Sequence, residues 1–576
     1  MVADGSGLNM HGWRQVYLMR RWRRAVYWIL GAACLAVLIA LTAMQQRPQA
    51  LQQVRFSATS GFYDEPFWLE IEADGGEIYY TLDSSEPNEH SIPYTGPILI
   101  RDASPNENVY STITDVSAYL KPELLEKNHV KQYHHYQVPD APVDKATVVR
   151  AVCIDKQGNH SPVCDAVYFV GFGEKRGYEG MNIMSIVTDP VNLFDAKKGI
   201  YVLGDLFAQT VRDGYVEGDK TNVFAWKANY NQRGRDWERP ASICCFDAHG
   251  ETVFSGQFGI RIQGKATRAN LPKNLNIYAR KQYGSSTLDT GNLYDTRYLL
   301  NRLTLYYGPS ELLLADYLAE TLTDGMDFTD REMAPCVLFL DGEYWGVFWL
   351  SPRFKADYLN QKYGVDPRNI VGIKHGHVEI GQDEDEALYN DMVEYIANHD
   401  MRDPDNYARA CELLDIQSCI DYFAMEIYIG NSDWPINNIA LWRTRFRDDT
   451  TCGDCRWRWI LYDVEQGMHL EWVRANTMKD AANRDPMFAG LLKNESFSKA
   501  LREKLLALSV DTFLPERVSA FIAYYKQRMA EAIVKKYLRF SHATMTLDDF
   551  YEGCDSIEQF FRERPEIIMK RYGGTD

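Results

Sequence analysis

The sequence predicts an α+β protein in which a β-sandwich precedes a larger mixed domain, with one membrane-spanning helix near the N-terminus. Three observations lead to this prediction: an uncharged apolar segment at residues 25–44, short strand patterns between residues 54 and 172, and interspersed strand and helix patterns over residues 180–576. The chain has 576 residues with 45% hydrophobic content, enough for several packed domains. A net charge of −18 argues against nucleic-acid binding, which needs a basic surface.

The apolar segment Ala25–Met44 carries no charged residue and is long enough to span a bilayer as a helix. The preceding tail, residues 1–24, is basic, whereas few basic residues follow the segment closely. The positive-inside rule therefore predicts a single-pass cell-membrane protein with a cytoplasmic N-terminus and an extracytoplasmic bulk. A cleaved signal peptide is the alternative, but the apolar run is long for one and lacks a clear cleavage site.

Cysteine usage fits an extracytoplasmic location without requiring a metal. There are eleven cysteines, and Cys34 in the predicted span leaves ten outside it, where disulfides are permitted. Cys153 and Cys164 flank a Gly-Asn turn and could bridge two hairpin strands, and Cys452 and Cys455 could close a loop tip. We expect structural disulfides or buried free thiols, because a second closely spaced pair suitable for zinc is missing.

The β-sandwich prediction for residues 54–172 depends on short strands separated by turns. The predicted strands include residues 67–72, 78–82, 147–153 and 166–170. The phrase Ile78–Pro87, with Ser60–Tyr63 upstream, resembles the Ig-like module at the C-terminus of chitobiases and hexosaminidases. That resemblance implies a spacer or presentation module and supplies no catalytic residue.

Beyond residue 180 the pattern mixes strands and helices. Asp341-Gly342 supplies the positive φ angles of a tight hairpin turn between apolar runs at residues 336–340 and 344–350. The segment Ile416–Ile429 has helical character and is followed by paired strand patterns. Further elements are strands at residues 258–264, 274–278, 441–443 and 457–461, and helices at residues 312–322, 497–508 and 516–537.

An Asp-Asn-Asp series carries the strongest chemical indication. Asp433 follows the predicted helix, Asn438 lies five positions later, and Asp463 comes after the hairpin strands. In protein kinases such an order provides an Asp that orients the hydroxyl group, with an Asn and a second Asp that hold Mg²⁺ on the nucleotide phosphates. The hairpin would return Asp463 to the loop that carries Asp433. The alternative is that Asp433 ends a helix and Asp463 caps a strand.

A second segment offers contacts for nucleotide phosphates. Gly264 permits a tight turn whose backbone amides could face phosphate, Arg268 lies in the connecting loop, and Lys273 opens the next strand. The segment matches neither the glycine-rich kinase loop nor the P-loop. Its lysine would otherwise be interpreted as a solvated side chain.

Several blocks in order resemble the CotH kinases, which are secreted or surface-attached atypical protein kinases. The resemblance runs from about residue 180 to residue 571 and includes GIRIQGKATRANLPKNLNIYARK, DGEYWGVFWL, NSDWPINNIALW and WRWILYDVEQG. It implies an atypical kinase-like fold that uses ATP and Mg²⁺ (or Mn²⁺) to phosphorylate Ser/Thr of surface or envelope proteins. By the same resemblance Lys273 is the nucleotide-binding lysine, Asp433 the catalytic Asp, Asn438 a metal-loop Asn and Asp463 the metal-binding Asp.

The chain departs from the family pattern at three positions. Pro352 stands where an acid is expected, Gln263 where Arg is frequent, and Glu465 where a second Asp is more usual. The sequence therefore leaves open a catalytically degenerate kinase-like surface protein that acts in adhesion or envelope assembly, and a transferase that moves AMP. The spacing of His375, His377 and Glu379 is also compatible with metal ligands, but two His and one acid occur commonly by chance.

Overall fold

The structure of the protein, a computed structural model, describes residues 53–574 except 133, 173–176, 308–311 and 541–545, together with five isolated positions between residues 22 and 35. Apart from those positions, the predicted basic tail (1–24) and membrane span (25–44) lie outside the described residues. Among the residues that are described, no helix combines the length and the apolar character needed to cross a bilayer. The described fold is mixed α+β, as predicted.

The N-terminal module is a β-sandwich. A five-stranded sheet, ordered β2-β9-β8-β5-β6, faces two short strand pairs, β3-β7 and β1-β4. Leu69 and Ile100 from the short pairs pack against Val149, Ala151 and Tyr168 of the larger sheet, so the sandwich has its own apolar core. The strands are β1 Arg55–Phe56, β2 Gly61–Tyr63, β3 Phe67–Leu69, β4 Ile71–Glu72, β5 Glu77–Thr81, β6 Ile92–Pro93, β7 Ile98–Ile100, β8 Thr147–Ile154 and β9 Cys164–Val170.

A closed barrel follows, in the order β10-β13-β14-β15-β18-β20-β19. It closes through a parallel pairing of β10 with β19, in which Asn182 lies opposite Cys336. Closure leaves these strands without a free edge. The barrel strands are β10 Asn182–Val187, β13 Arg239–Phe246, β14 Thr252–Ile262, β15 Leu275–Tyr278, β18 Arg302–Tyr306, β19 Ala334–Leu340 and β20 Glu343–Pro352; the short pairs are β11 Val211–Arg212 with β12 Tyr215–Val216, and β16 Leu288–Asp289 with β17 Leu299–Leu300.

A four-stranded sheet, ordered β22-β21-β23-β24, lies beyond the barrel in the chain and carries the segments that flank the predicted catalytic residues. In this sheet Lys374 pairs with Ala440, and Leu441 pairs with Trp459. The second pairing is the hairpin that the sequence predicts. The strands are β21 Ile370–Lys374, β22 His377–Ile380, β23 Ala440–Thr444 and β24 Arg458–Trp459.

The helices pack around this sheet and one side of the barrel. The predicted helix Ile416–Ile429 is confirmed with the same bounds and is almost wholly buried. Its end at Gly430 follows from the left-handed φ of 70° there, which glycine adopts without strain. The helices are α1 Pro122–Lys127, α2 Pro190–Phe194, α3 Gly204–Ala208, α4 Ala315–Leu322, α5 Ala356–Tyr363, α6 Glu386–Asn398, α7 Pro404–Leu413, α8 Ile416–Ile429, α9 Thr477–Arg484, α10 Pro486–Leu491, α11 Glu495–Val510, α12 Pro515–Phe540 and α13 Leu547–Tyr572.

The sandwich packs directly against the barrel. The carboxylate of Glu343, at the start of β20, accepts hydrogen bonds from the backbone amides of Val109 (2.6 Å) and Ser111 (2.7 Å) in the segment that joins β7 to β8. Farther along this segment, the hydroxyl of Ser117 donates to the carbonyl of Ala269 at 2.6 Å. The segment between β7 and β8 therefore contacts the loop that precedes β15.

Local sequence explains several of these elements. At the β19–β20 turn, Asp341 (φ 49°) and Gly342 (φ 85°) adopt the positive angles that the Asp-Gly pair predicts. The predicted strand at residues 67–72 is instead split into β3 and β4 at Glu70. All ten cysteines among the described residues are free thiols, six of them buried, so the possible bridges Cys153–Cys164 and Cys452–Cys455 are not formed.

Candidate active site

The loop after helix α8 is anchored by a buried acid–amide pair. Asn431 donates from Nδ2 to Glu426 Oε2 at 2.8 Å, and its Oδ1 accepts from the backbone amide of Asp433 at 3.2 Å. Asn431 and Glu426 are both fully buried. Burial raises the pKa of Glu426 to about 8, while its bond to Asn431 acts in the opposite direction. The backbone that presents Asp433 is thus held by a pair that solvent does not reach.

Two amides orient the Asp433 carboxylate. Asn437 donates to Oδ1 at 2.7 Å and Asn438 donates to Oδ2 at 3.2 Å. Asp433 is half-buried, and no described cation forms an ion pair with it. Neutral amides fix a carboxylate without neutralising its charge, so the group keeps its capacity to accept a proton or a hydroxyl hydrogen bond.

Asn438 also joins Asp433 to Asp463. Its Nδ2 donates to the backbone carbonyl of Asp463 at 3.1 Å, and both residues have a φ of 58°. Asp and Asn tolerate this left-handed conformation better than most residues. Burial raises the pKa of Asp463 to about 6, with Asp316 adding to the rise and Arg331 opposing it. The structure therefore brings together the three predicted residues Asp433, Asn438 and Asp463.

An ion-pair network from helix α4 supports Asp463. Asp316 Oδ1 accepts from the backbone amide of Val464 at 2.7 Å, and its other oxygen pairs with Arg331 at 2.9 Å. Arg331 also contacts Glu320 at 3.4 Å and lies 4.8 Å from the centre of the Tyr306 ring. These residues were not predicted from the sequence, because only the fold brings α4 beside Asp463.

Glu465 contributes two oxygens without hydrogen-bond partners. Its side chain is 5% exposed, and neither carboxylate oxygen contacts a donor among the described residues. Burial raises the pKa of Glu465 well above its usual value, and Asp316 and Asp463 add to the effect. Uncompensated buried oxygens beside Asp463 fit a divalent cation, which prefers such ligands. No described group of three or more His, Cys, Asp or Glu side chains could hold a metal by itself.

The predicted phosphate loop turns at Gly264, which has a φ of 113°. A Cβ atom there would lie 2.2 Å from the Thr267 hydroxyl, so glycine is required. Arg268 does not extend into the cleft: it donates from Nε to the Gly264 carbonyl at 2.7 Å and from Nη1 to the carbonyls of Tyr230 and Gln232, each at 2.9 Å. Its guanidinium group stabilises the loop.

Lys273 is fully buried inside the same loop. Its Nζ donates to the carbonyls of Arg268 (2.5 Å) and Asn270 (3.3 Å) and lies 3.9 Å from the centre of the Tyr230 ring. Burial lowers the pKa of Lys273 well below its usual value, and the charge of Arg268 lowers it further. A contact between nucleotide phosphates and Lys273 or Arg268 would require these hydrogen bonds to break, so the structure does not bring either cation to the Asp433 loop.

A different pair of cations lies near Asp433. Burial lowers the pKa of His375, and the charges of Lys374 and Lys265 lower it further, while Asp433 raises it. These four residues are therefore near neighbours, although they come from three separate segments. Lys265, which follows Gly264, is exposed. The residue after Gly264 and the Asp433 loop thus both lie near His375.

A small cavity of about 60 Å³ lies next to Tyr462, the residue that precedes Asp463. The end of β20 forms one wall through Pro352, Arg353 and Phe354, and strands β21 and β23 form another, with Lys374 and Leu441. Pro352, where the family resemblance implies an acid, is part of this wall. The His375, His377 and Glu379 spacing, which is common by chance, forms no metal site among the described residues. His377 contacts Glu386 at 3.2 Å, and Glu379 pairs with Lys355 at 2.6 Å.

The barrel presents a polar face toward this cleft. Arg261, Asn276, Thr304 and Ser351 lie opposite one another on β14, β15, β18 and β20, and directly paired residues share a face of a sheet. Burial raises the pKa of Tyr306 well above its usual value, and the charge of Asp463 adds to the rise, so this face extends to the candidate metal residues. The opposite face belongs to the main core: Ile260, Ile277, Leu303 and Leu350.

Two family models match the chain. The model described as CotH kinase protein matches residues 260–568, and the model described as Fn3 associated matches residues 68–168. The first match contains Asp433, Asn438 and Asp463, and the second covers most of the β-sandwich. A comparison with curated proteins found no match.

Proposed function

Because the chain belongs to the CotH kinase protein family, we propose that it is an atypical protein kinase that transfers the γ-phosphate of ATP to Ser/Thr residues of surface or envelope proteins. The observation that carries the proposal is the hydrogen bonding of one side chain, Asn438, to both Asp433 and Asp463. Phosphoryl transfer requires chiefly positioning and charge stabilisation, and a hydrogen-bonded group of acid, amide and acid beside a cleft supplies both.

Asp433 is the proposed catalytic residue. Its carboxylate would accept a hydrogen bond from the substrate hydroxyl and take up its proton as the hydroxyl oxygen attacks the phosphorus atom. The amides of Asn437 and Asn438 hold the carboxylate for this task, since each occupies one of its oxygens and leaves lone pairs available.

Asn438 and Asp463 are the proposed metal residues, with the unpartnered oxygens of Glu465 beside them. Asn438 uses its amide nitrogen in both hydrogen bonds, which leaves its carbonyl oxygen for a cation. A bound Mg²⁺ or Mn²⁺ would neutralise charge on the nucleotide phosphates during transfer. The described residues form no cage of three carboxylates or imidazoles. Mg²⁺ in such sites takes few protein ligands and shares phosphate oxygens, so the assignment does not need one.

The small cavity next to Tyr462 is proposed as one part of the nucleotide site. Phe354, Ile380 and Leu441 offer apolar walls for a base. The charged residues in the lining are Lys374, Arg353, Arg331 and Glu379. Anchoring in the cell membrane through residues 25–44, with the catalytic domain outside, remains part of the proposal and depends on the sequence alone.

A binding protein without transfer activity is the second candidate. The specific observation in its favour is the engagement of Lys273 with backbone carbonyls, together with Pro352 where an acid is expected. Such a protein would use its kinase-like domain as a scaffold in adhesion or envelope assembly. Loss of Asp433 would leave its binding unchanged.

The experiment is a transfer assay on the purified full chain with ATP labelled at either the α- or the γ-phosphate, with Mg²⁺ or Mn²⁺. We expect γ-label in protein and a mass increase of one phosphate, and a loss of at least ~100-fold in Asp433→Asn and Asp463→Asn. The matched control is Asp449→Asn, an exposed acid in the β23–β24 loop. Transfer of α-label instead would indicate AMP transfer, and unchanged transfer in Asp433→Asn would refute the catalytic assignment.

A further inference from the structure

We propose that Lys374 and Arg353 hold the phosphates of the nucleotide, in the role that the sequence assigns to Lys273. This inference rests on the proposed function, because it identifies the groups that recognise a polyphosphate in the same cleft. It assigns a binding site to two residues that lie outside the Gly264 loop, one at the end of β21 and the other immediately after β20.

The position of Lys374 follows from strand register. Lys374 pairs with Ala440 across β21 and β23, and the backbone amide of the next residue, His375, donates to the carbonyl of Ile439 at 3.0 Å. Ile439 directly follows Asn438. The register therefore fixes Lys374 beside the end of the catalytic loop, next to the proposed metal residues.

The Lys374 ammonium group lies over the ring of Tyr462, with 4.2 Å between Nζ and the ring centre. Tyr462 directly precedes Asp463. No described carboxylate lies within ion-pair distance of Lys374, although Glu379 and Asp463 are close enough to raise its pKa. Burial, followed by the charge of Arg353, lowers this pKa to about 8. A half-buried cation stacked on an aromatic ring with no anionic partner is a group prepared for an anion.

Arg353 is the second such cation. It lines the same cavity and, within the described residues, makes no ion pair and no hydrogen bond from its guanidinium group. Burial lowers its pKa and the charge of Glu379 opposes this, while Arg302 and Arg331 lower it further, so three guanidinium groups lie near one another. The buried Nε of Arg302 also has no hydrogen-bond partner in the part of the chain that the structure describes. Mutual repulsion and burial both favour an anion between these groups.

The nearby carboxylates form their direct ion pairs with residues other than these two cations. Glu379 pairs with Lys355 at 2.6 Å, and Asp316 and Glu320 pair with Arg331. Lys374 and Arg353 therefore contribute positive charge to the cavity without a direct ion pair, while Asp463 contributes negative charge next to the lining residue Tyr462. A triphosphate with its divalent cation satisfies both sides: its oxygens would contact Lys374 and Arg353, and its cation would contact Asp463.

The test measures equilibrium binding of ATP and of adenosine to the full chain with Mn²⁺ present. We expect Lys374→Met and Arg353→Met each to weaken ATP binding at least tenfold while adenosine binding changes less than twofold, because only ATP carries the triphosphate. Lys374→Arg, which retains the charge, should restore most of the affinity. The control is Lys499→Met, an exposed lysine on helix α11 that pairs with Glu503 only at 4.0 Å.

The nucleotide-free variants provide a second readout. Since removal of an unpaired buried charge relieves repulsion and desolvation, we expect Lys374→Met to unfold at a temperature equal to or above that of the parent. A structural role would instead lower the unfolding temperature and weaken adenosine and ATP binding together. Should one methionine variant fail to fold, the other variant and Lys374→Arg still decide the question.

The outcomes separate this inference from the proposed function. If the parent transfers phosphate and both methionine variants bind ATP as tightly as the parent, the inference is wrong and the kinase proposal stands. If the variants lose ATP binding but Asp433→Asn still transfers phosphate, the phosphate site stands and the catalytic assignment is wrong. If the parent binds no ATP, both are overturned.

Discussion

Asn438 and Asp463 share the same left-handed backbone conformation and are joined by a 3.1 Å hydrogen bond from the side-chain amide of the first to the carbonyl of the second. Since they lie on either side of the hairpin formed by β23 and β24, this bond fixes the hairpin's two ends relative to each other. Asn438 also bonds to Asp433, so its side chain couples the proposed catalytic and metal residues.

Replacing Asn438 with glycine or with alanine should abolish transfer to the same extent, at least ~100-fold, because both variants lose the amide. Only alanine adds left-handed strain at a φ of 58°, so Asn438→Ala should be about 1 kcal/mol less stable than Asn438→Gly. Transfer assays and chemical unfolding of the two variants check this. Retention of activity in Asn438→Gly would show that the side chain is not needed.

Glu426→Gln should stabilise the protein at alkaline pH. With a folded-state pKa of about 8, Glu426 keeps its proton above the pKa of the unfolded chain, so the native state binds more protons between about pH 4.5 and 8. The parent therefore loses stability as pH rises through this window, by about 5 kcal/mol from this group. Glutamine removes that loss and can still accept from Asn431. Chemical unfolding at pH 5 and pH 8 measures the free energy of unfolding of both proteins. An equal change between the two pH values in the parent and the variant would contradict the prediction.

Lys273→Met should affect the loop more than nucleotide binding. The substitution removes donors from two buried carbonyls, those of Arg268 and Asn270, and should lower the free energy of unfolding by about 1–3 kcal/mol. ATP affinity should fall less than in Lys374→Met. Thermal unfolding and ATP titration of the two methionine variants, side by side, provide the comparison. A Lys273→Met protein of normal stability that binds no ATP would restore Lys273 as the phosphate ligand.

Glu343→Ala should loosen the junction between the sandwich and the barrel. It leaves the backbone amides of Val109 and Ser111 without their charged acceptor at a site where Glu343 is only 3% exposed. The expected cost is about 2–4 kcal/mol, with earlier proteolytic cleavage in residues 101–146. Glu412→Ala, at an exposed acid on helix α7, is the control for loss of a negative charge. Equal protease resistance in both variants would mean that the junction bonds contribute little.

The sequence predicted the elements whose determinants are local. The helix Ile416–Ile429 and the Asp341-Gly342 turn depend on periodicity and on one dipeptide, and both are confirmed. The grouping of Asp433, Asn438 and Asp463 also follows from chain order, because a hairpin returns Asp463 to the loop where it started. The register of β23 with β24 then determines which atoms of these three residues come into contact.

Lys374 and Lys273 illustrate what chain order does not provide. Lys374 reaches the catalytic loop through the pairing of β21 with β23, two strands separated by helices α6, α7 and α8, so no local pattern shows it. For Lys273 a signal existed. Lys273, Leu275 and Ile277 are spaced two residues apart, so in a strand they point to the same face. Because Leu275 and Ile277 face the main core, this alternation predicts a buried Lys273 side chain. The family resemblance outweighed that pattern in the prediction.

The closed barrel determines the smallest fragment of this chain that can fold by itself. Strands β10 and β13 precede residue 260, where the kinase-family match begins, yet they complete the ring between β19 and β14. A protein fragment that begins at residue 260 would lack these strands, and its barrel would be open with two unpaired edge strands. Each edge could pair with the edge of another copy and lead to aggregation. A recombinant fragment of this protein should therefore begin before Asn182, the first residue of β10.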